Sequence, residues 1–165
     1  MAKKDYNAFG NIRVTLDNIK KLNGTRYIVR TTIEDNGGVD NNPAKYGTYL
    51  EDFSGEGILY NRDYRFLSPA LKDFKTEMVH SKDMDEYLSI FKVDGKRRGK
   101  KEMLKAAEYY GQAAVDRVRQ YILYEAPQYP ERKRKNPSLI DTGNLYDSIK
   151  YEIYDKKNNL LSEGK

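Results

Sequence analysis

Pro137-Ser-Leu-Ile-Asp-Thr-Gly-Asn-Leu-Tyr-Asp-Ser-Ile-Lys-Tyr-Glu-Ile153 combines a helix start and a change of hydrophobic period in one short run. Asp141 and Thr142 are placed to cap a short helix, because their side-chain oxygens can accept the free N–H groups of a first turn continuing through Gly143 and Asn144. Leu145 and Ile149 then fall four apart, on one helical face. From Ile149 the period becomes two, with Ile149, Tyr151 and Ile153 on one side and Lys150, Glu152 and Tyr154 on the other. The pattern predicts a capped helical turn feeding a half-buried strand. Asp141 and Thr142 serve as the cap and Gly143 as a backbone accommodation, with no chemistry expected of them.

A strand needs a partner and a cover. Arg26 to Glu34 supplies the partner, a β-branched run in which Tyr27, Val29, Thr31 and Ile33 alternate with Ile28, Arg30, Thr32 and Glu34. The cover is a long helix over Lys100–Glu125, where Met103, Ala107, Tyr110, Ala114, Val118 and Tyr121 step by three and four, joined by Leu104, Gly111, Val115 and Ile122. At about 1.5 Å per residue it would span roughly 36 Å, the width of a small domain. Its small residues, Ala106, Ala107, Gly111, Ala113 and Ala114, permit close backbone approach. The 149–154 strand is expected to pair with the 26–34 strand beneath this helix. The fold class is therefore α+β, a small mainly antiparallel sheet packed against one long helix, with additional short helices and long loops.

Two further helix starts are legible. Asn42-Pro43 offers a cap and a first-turn proline ahead of Tyr46, Tyr49, Leu50 and Phe53, and Ser68-Pro69 does the same ahead of Leu71, Phe74 and Met78. Asn11 to Leu16 reads as an additional strand, followed by a turn at Asn23-Gly24, and 35–42 reads as an exposed loop. Residues 126–138 hold Pro127, Pro130 and Pro137 around Arg132-Lys133-Arg134-Lys135, an extended basic linker. The whole chain, 1–165, is expected to be one domain, with 1–10 and 156–165 flexible.

The absence of cysteine excludes a disulfide framework, a thiolate zinc site and a thiol nucleophile, and fits a reducing cytoplasm. No apolar run approaches the roughly 20 residues of a membrane helix, so no membrane partner is expected. The acidic loop at 35–42 lacks the spacing of a calcium loop, Gly55-Glu56-Gly57 lacks the strand and helix of a phosphate loop, and the single histidine, His80, has no second ligand. No catalytic residue, metal or cofactor is expected. Net charge is +5, but unevenly spread: residues 96 to 135 carry 12 basic and 5 acidic residues, whereas 34 to 63 carry 7 acidic and 2 basic. Candidate interface or DNA-facing cations are Lys96, Arg97, Arg98, Arg132, Lys133, Arg134 and Lys135. Candidate interface acids are Asp35, Asp40, Glu51, Asp52 and Glu56. Opposite segments on one chain can pair head to tail between copies.

The Leu139-Ile140-Asp141-Thr142-Gly143-x-Leu145-x-x-Ser148-Ile149 segment, behind a basic linker and a long helix, resembles the neck and tail-completion proteins of tailed bacteriophages. Similar to that family too are the Tyr-rich segment 46–53 ending near Glu51 and the aromatic-Leu-x-Pro-Ala-Leu start, here Phe66, Leu67, Pro69, Ala70 and Leu71, in the same order. The likeness spans roughly 26–154. Two departures are the extra residues in Glu51-Asp52-Phe53-Ser54-Gly55, where the family has Glu-Phe-Gly, and Arg65 where it often has proline. The resemblance implies a virion protein, put together in the host cytoplasm and placed at the head-tail junction or tail top. It implies a homo-oligomeric ring, a hexamer being expected, that contacts other neck and tail proteins and leaves a channel with non-specific contact to phage DNA. The competing expectation is a small basic nucleic-acid-binding protein using 96–101 and 132–135 on phosphates. A hydrolase built on Asp83, Asp85 and Glu86 lacks a convergent partner residue.

Overall fold

A computed structural model describes residues 26–37, 42–53, 65–78, 98–125 and 144–165, with Asp17 and Lys82 singly between them. The expected strand at 11–16, the Asn23-Gly24 turn, His80, the carboxylates at 83–86 and the linker at 126–138 lie outside these residues. In chain order the elements are β1 (Ile28–Ile33), α1 (Pro43–Phe53), α2 (Leu67–Glu77), α3 (Lys100–Gln120), α4 (Asn144–Asp147), β2 (Ile149–Tyr154) and β3 (Leu160–Gly164). A wider π-type turn, Tyr121–Glu125, continues α3.

The three strands form one antiparallel sheet with β2 in the middle. As expected, β2 pairs with β1, Val29 standing opposite Ile153, Thr31 opposite Tyr151 and Ile33 opposite Ile149. Directly opposed residues share a face, so these six point toward α3, and Arg30, Thr32, Lys150 and Glu152 point away. Ile149, Tyr151 and Ile153 are buried under the helix. They meet Ala107, Val115, Val118 and Ile122, the stripe marked by helical spacing, in one core that also takes in Leu50, Phe66, Ala70 and Leu145. A smaller cluster joins Phe74, Met78 and Ala114, with the Phe74 and Tyr110 rings edge to face at 5.1 Å.

The C-terminal residues correct one expectation. Rather than fraying, 156–165 turn back and add β3 to the free side of β2. The Asp155 carboxylate organises the turn, accepting the N–H groups of Lys157 at 2.7 Å and Asn159 at 2.9 Å and the Asn159 side-chain amide at 2.9 Å. These bonds, the Asn159 amide first, hold the Asp155 carboxyl below its usual range. Asn158 takes the left-handed conformation, φ 65°, that asparagine tolerates better than most residues. Beyond the turn the register slips by one at Ile153/Tyr154, with Leu161 as the extra residue of a bulge.

Tyr151 sets the distance between helix and sheet. A Cβ on Gly111 of α3 would lie 2.7 Å from Tyr151 Cγ, and one on Gly164 of β3 would lie 2.7 Å from Tyr151 Oη. The ring is thus fitted between two positions that have no side chain. Gly111→Ala is expected to lower stability by ~1–3 kcal/mol through overpacking, and a urea-unfolding midpoint equal to wild type would show that the helix can lift off Tyr151 freely.

Candidate interaction surfaces

The motif residues within the described chain are structural. Phe66, Ala70, Leu145, Ser148 and Ile149 are buried, Leu67 and Pro69 half-buried. Phe66, Ala70, Leu145 and Ile149 share one core, so the two stretches are brought together. Ser148 closes the turn: its hydroxyl donates to the Leu145 carbonyl at 2.7 Å, its N–H donates to the Asn144 carbonyl at 3.0 Å, and its carbonyl accepts the Glu34 N–H at 2.8 Å. A buried hydroxyl is thereby satisfied exactly where helix gives way to strand. Leu139, Ile140, Asp141, Thr142 and Gly143 lie outside the described residues, and so does their expected capping role.

Two of the candidate acids are engaged inside the fold. Glu51, near the end of α1, reaches the start of α2, where its carboxylate accepts the N–H groups of Phe66 at 2.7 Å, Leu67 at 2.6 Å and Ser68 at 3.1 Å, and the Ser68 hydroxyl. This corrects the assignment of Ser68 as the cap of α2. The helix begins at Leu67, the residue in the cap position is Phe66, and the free donors of the first turn are met by a carboxylate from another helix. The signal was out of reach of local spacing, since Glu51 lies 15 residues or more from the groups it caps. Asp35 accepts the Gly37 N–H at 2.8 Å and the Asn42 side-chain amide at 2.6 Å, and these bonds, Asn42 first, hold its carboxyl below the usual range. Asn42 in turn caps α1 through Ala44 N–H at 3.0 Å, as its place before Pro43 predicts. Of Asp52 only the backbone is described, and Asp40 and Glu56 lie outside, as do Lys96, Arg97, Arg132, Lys133, Arg134 and Lys135. Arg98 is half-buried just ahead of α3.

Charge is concentrated instead at places that linear patterning did not mark. Arg117, with a side chain only 10% exposed, faces Asp73 at 3.3 Å, Glu77 at 3.0 Å and Glu125 at 2.5 Å. Its Nε is the group nearest Glu77 but is out of line for a hydrogen bond, so this buried N–H has none. The bond to Glu125 is the main reason the guanidinium is held more basic than usual. Arg119 donates to the carbonyls of Tyr146 at 3.3 Å and Ile149 at 3.4 Å, fastening α3 to the α4–β2 junction. At the start of α3, Glu102 bends back to accept the Gly99 N–H at 2.9 Å, half of a capping box, and its carboxyl is lowered by its own N–H and that of Gly99.

The outer face of the sheet carries a second network. Lys150 lies 2.8 Å from Glu152 and 3.0 Å from Glu163, Tyr154 donates to Glu152 at 2.6 Å, and the Arg30 guanidinium sits 4.7 Å from the Tyr154 ring. Among the described residues no three His, Cys, Asp or Glu side chains converge as a metal set, and no helix is long and apolar enough to cross a membrane. No protein family, curated protein or solved structure matches the chain.

Two measurements probe these sites. Glu51→Ala leaves the first-turn donors of α2 without their acceptor and is expected to cost ~1–2 kcal/mol in chemical denaturation, with Glu51→Gln recovering part of it; equal stability of Glu51→Ala and wild type would show the cap to be idle. The Glu152 carboxyl is lowered chiefly by Lys150 and then by Tyr154. A carboxyl lowered in the folded state contributes stability above its unfolded pKa, about 4.3, and loses it as pH falls through the folded value. Wild type should therefore lose more stability than Glu152→Gln between pH 5 and pH 3, and parallel curves would remove Glu152 from the acid response.

Proposed function

We propose that this chain is a structural protein of a tailed-bacteriophage virion, forming a ring at the head-tail junction with a channel for DNA. The observation that carries it is the order of elements: a strand, a helix holding Glu51, the Phe66-Leu67-x-Pro69-Ala70 helix start, the long helix, and Leu145-x-x-Ser148-Ile149 leading into the central strand. Support also comes from what the matching residues do. They build one core, and Glu51 ties the Tyr-rich helix to the next helix start, so the recurring pattern is a folding pattern rather than a reactive site. In this reading the protein is not an enzyme and needs no cofactor. It acts by presenting surfaces to copies of itself and to other neck and tail proteins.

A ring of six would have a mass of ~115 kDa, from 19.2 kDa per chain. Mass photometry and negative-stain images of the full-length protein, free and in purified virions, are expected to show closed rings near that size. Monomers alone in both preparations would overturn the proposal.

A further inference from the structure

Three segments far apart in sequence bring their cations to one end of the molecule. The Tyr27 hydroxyl donates to the Lys100 carbonyl at 3.2 Å, which sets the start of β1 beside the start of α3. Arg119 reaches the Ile149 carbonyl and Glu108 the Ser162 hydroxyl opposite Ile153, so α3 begins at the end where β2 finishes. Ile28 stands opposite Tyr154, which puts the 155–159 turn there as well. At this end Arg26, Lys100, Lys101, Lys156 and Lys157 are exposed, with Arg30 and Lys105 exposed one step behind them. Residues 26–30, 98–108 and 150–163 together hold nine basic and five acidic residues, a net of +4 within a chain of net +5. The adjoining stretches do not reverse the sign, since 1–25 hold five basic and two acidic residues and 79–97 hold four of each. Of the five carboxylates, Glu102 is turned to the Gly99 N–H, Glu108 to Ser162 and Asp155 to its own turn, while Glu152 and Glu163 share Lys150. The positive end of the α3 dipole points the same way.

We propose that this end binds the phosphate backbone of duplex DNA without reading its sequence. The cations do not converge on a pocket. Lys101 and Lys105 lie one turn apart on the helix layer, whereas Arg26, Lys156 and Lys157 belong to the sheet layer and its turn. A compact anion would meet only a few of them. A rod carrying one negative charge per ~1.7 Å of its axis can lie across both layers and meet the set at once. Seven exposed cations are comparable with the roughly 6–10 phosphate contacts of proteins whose DNA affinity depends steeply on salt. The aliphatic side chains here, Ile28, Leu160 and Leu161, are each less than half exposed, which is ordinary for scattered surface residues and calls for no apolar partner. The choice of DNA among polyanions rests on the ring reading, in which this end is the one turned to the channel.

The test is fluorescence anisotropy of a labelled 30-base-pair duplex with the full-length protein, between about 50 and 200 mM salt. It reads affinity and contact number together, because log K falls with log salt by about 0.9 per phosphate neutralised. Lys101→Ala/Lys105→Ala on the helix and Lys156→Ala/Lys157→Ala on the turn are each expected to weaken binding about tenfold at the low-salt end and to reduce the slope by about two. Lys72→Ala/Lys75→Ala makes the same change in net charge at exposed positions on α2, the helix whose Asp73 and Glu77 meet Arg117, and should leave the slope at its wild-type value. Equal losses from all three pairs would show a response to net charge alone and overturn the inference, as would a wild type without affinity for the duplex. Loss confined to Arg132→Ala/Lys133→Ala/Arg134→Ala/Lys135→Ala would give the DNA to that linker and overturn it too. Poly-glutamate that displaces the duplex at equal charge concentration would assign this end to an acidic protein, with the same result. A wild type that stays monomeric yet binds the duplex through these lysines would remove the ring and leave the DNA-binding end in place.

Discussion

The fit of Tyr151 between Gly111 and Gly164 fixes how closely α3 can lie on the sheet. A helix carrying a larger residue at 111 would stand off from β2, and the neighbouring contacts of Val115 and Val118 with Ile149 and Ile153 would loosen with it. Burial also raises the Tyr151 hydroxyl above its ordinary pKa, with Glu108 adding to the effect. The ring therefore stays neutral beside a carboxylate. One aromatic side chain of the central strand thus limits how closely both the helix and β3 approach it.

Magnitudes separate what holds the fold from what decorates it. Each of Ile149, Tyr151 and Ile153 buries a side chain worth ~1.5–3 kcal/mol, whereas an exposed ion pair such as that between Lys165 and Glu34 gains little over the hydration it replaces. The core decides stability. The polar contacts that matter more are those meeting buried or terminal backbone groups: Glu51 on the α2 start, Ser148 at the helix-to-strand junction and Arg119 on the Tyr146 and Ile149 carbonyls. Each replaces water at a group that the packing has partly closed off.

Much of this architecture is legible in the linear pattern. The 3.6-residue stripe of α3 and the two-residue alternation of β1 and β2 come directly from which side chains must avoid water, and their pairing follows from the need to cover both apolar faces. β3 is not legible for the same reason: Leu160-Leu161-Ser162-Glu163-Gly164 has no clean alternation, and it is held by backbone pairing to β2 and by the Asp155 turn rather than by an apolar face. Glu51 and Arg117 escape for a different reason. Their partners are distant in sequence, so the acid at 51 looks like free surface charge until α1 is set beside α2, and Asp73, Glu77 and Glu125 look like three unrelated carboxylates until α2 lies along α3. Charge totals over long windows mark the segment around α3 as basic, but not the place of Arg117 among three carboxylates.

The register of the sheet has a consequence for how the chain matures. Ile33 pairs with Ile149, so the two principal strands are separated by more than a hundred residues. At a synthesis rate of roughly 5–20 residues per second, β1 leaves the ribosome several seconds or more before β2 exists to receive it. Pairings this far apart carry a large loop-closure cost and place a fold among the slower ones for its size. During that interval the β-branched edge of β1 is available to any other strand, including one on a neighbouring nascent chain. Crowding of nascent chains during that interval therefore favours pairing between copies over the native pairing of β1 with β2.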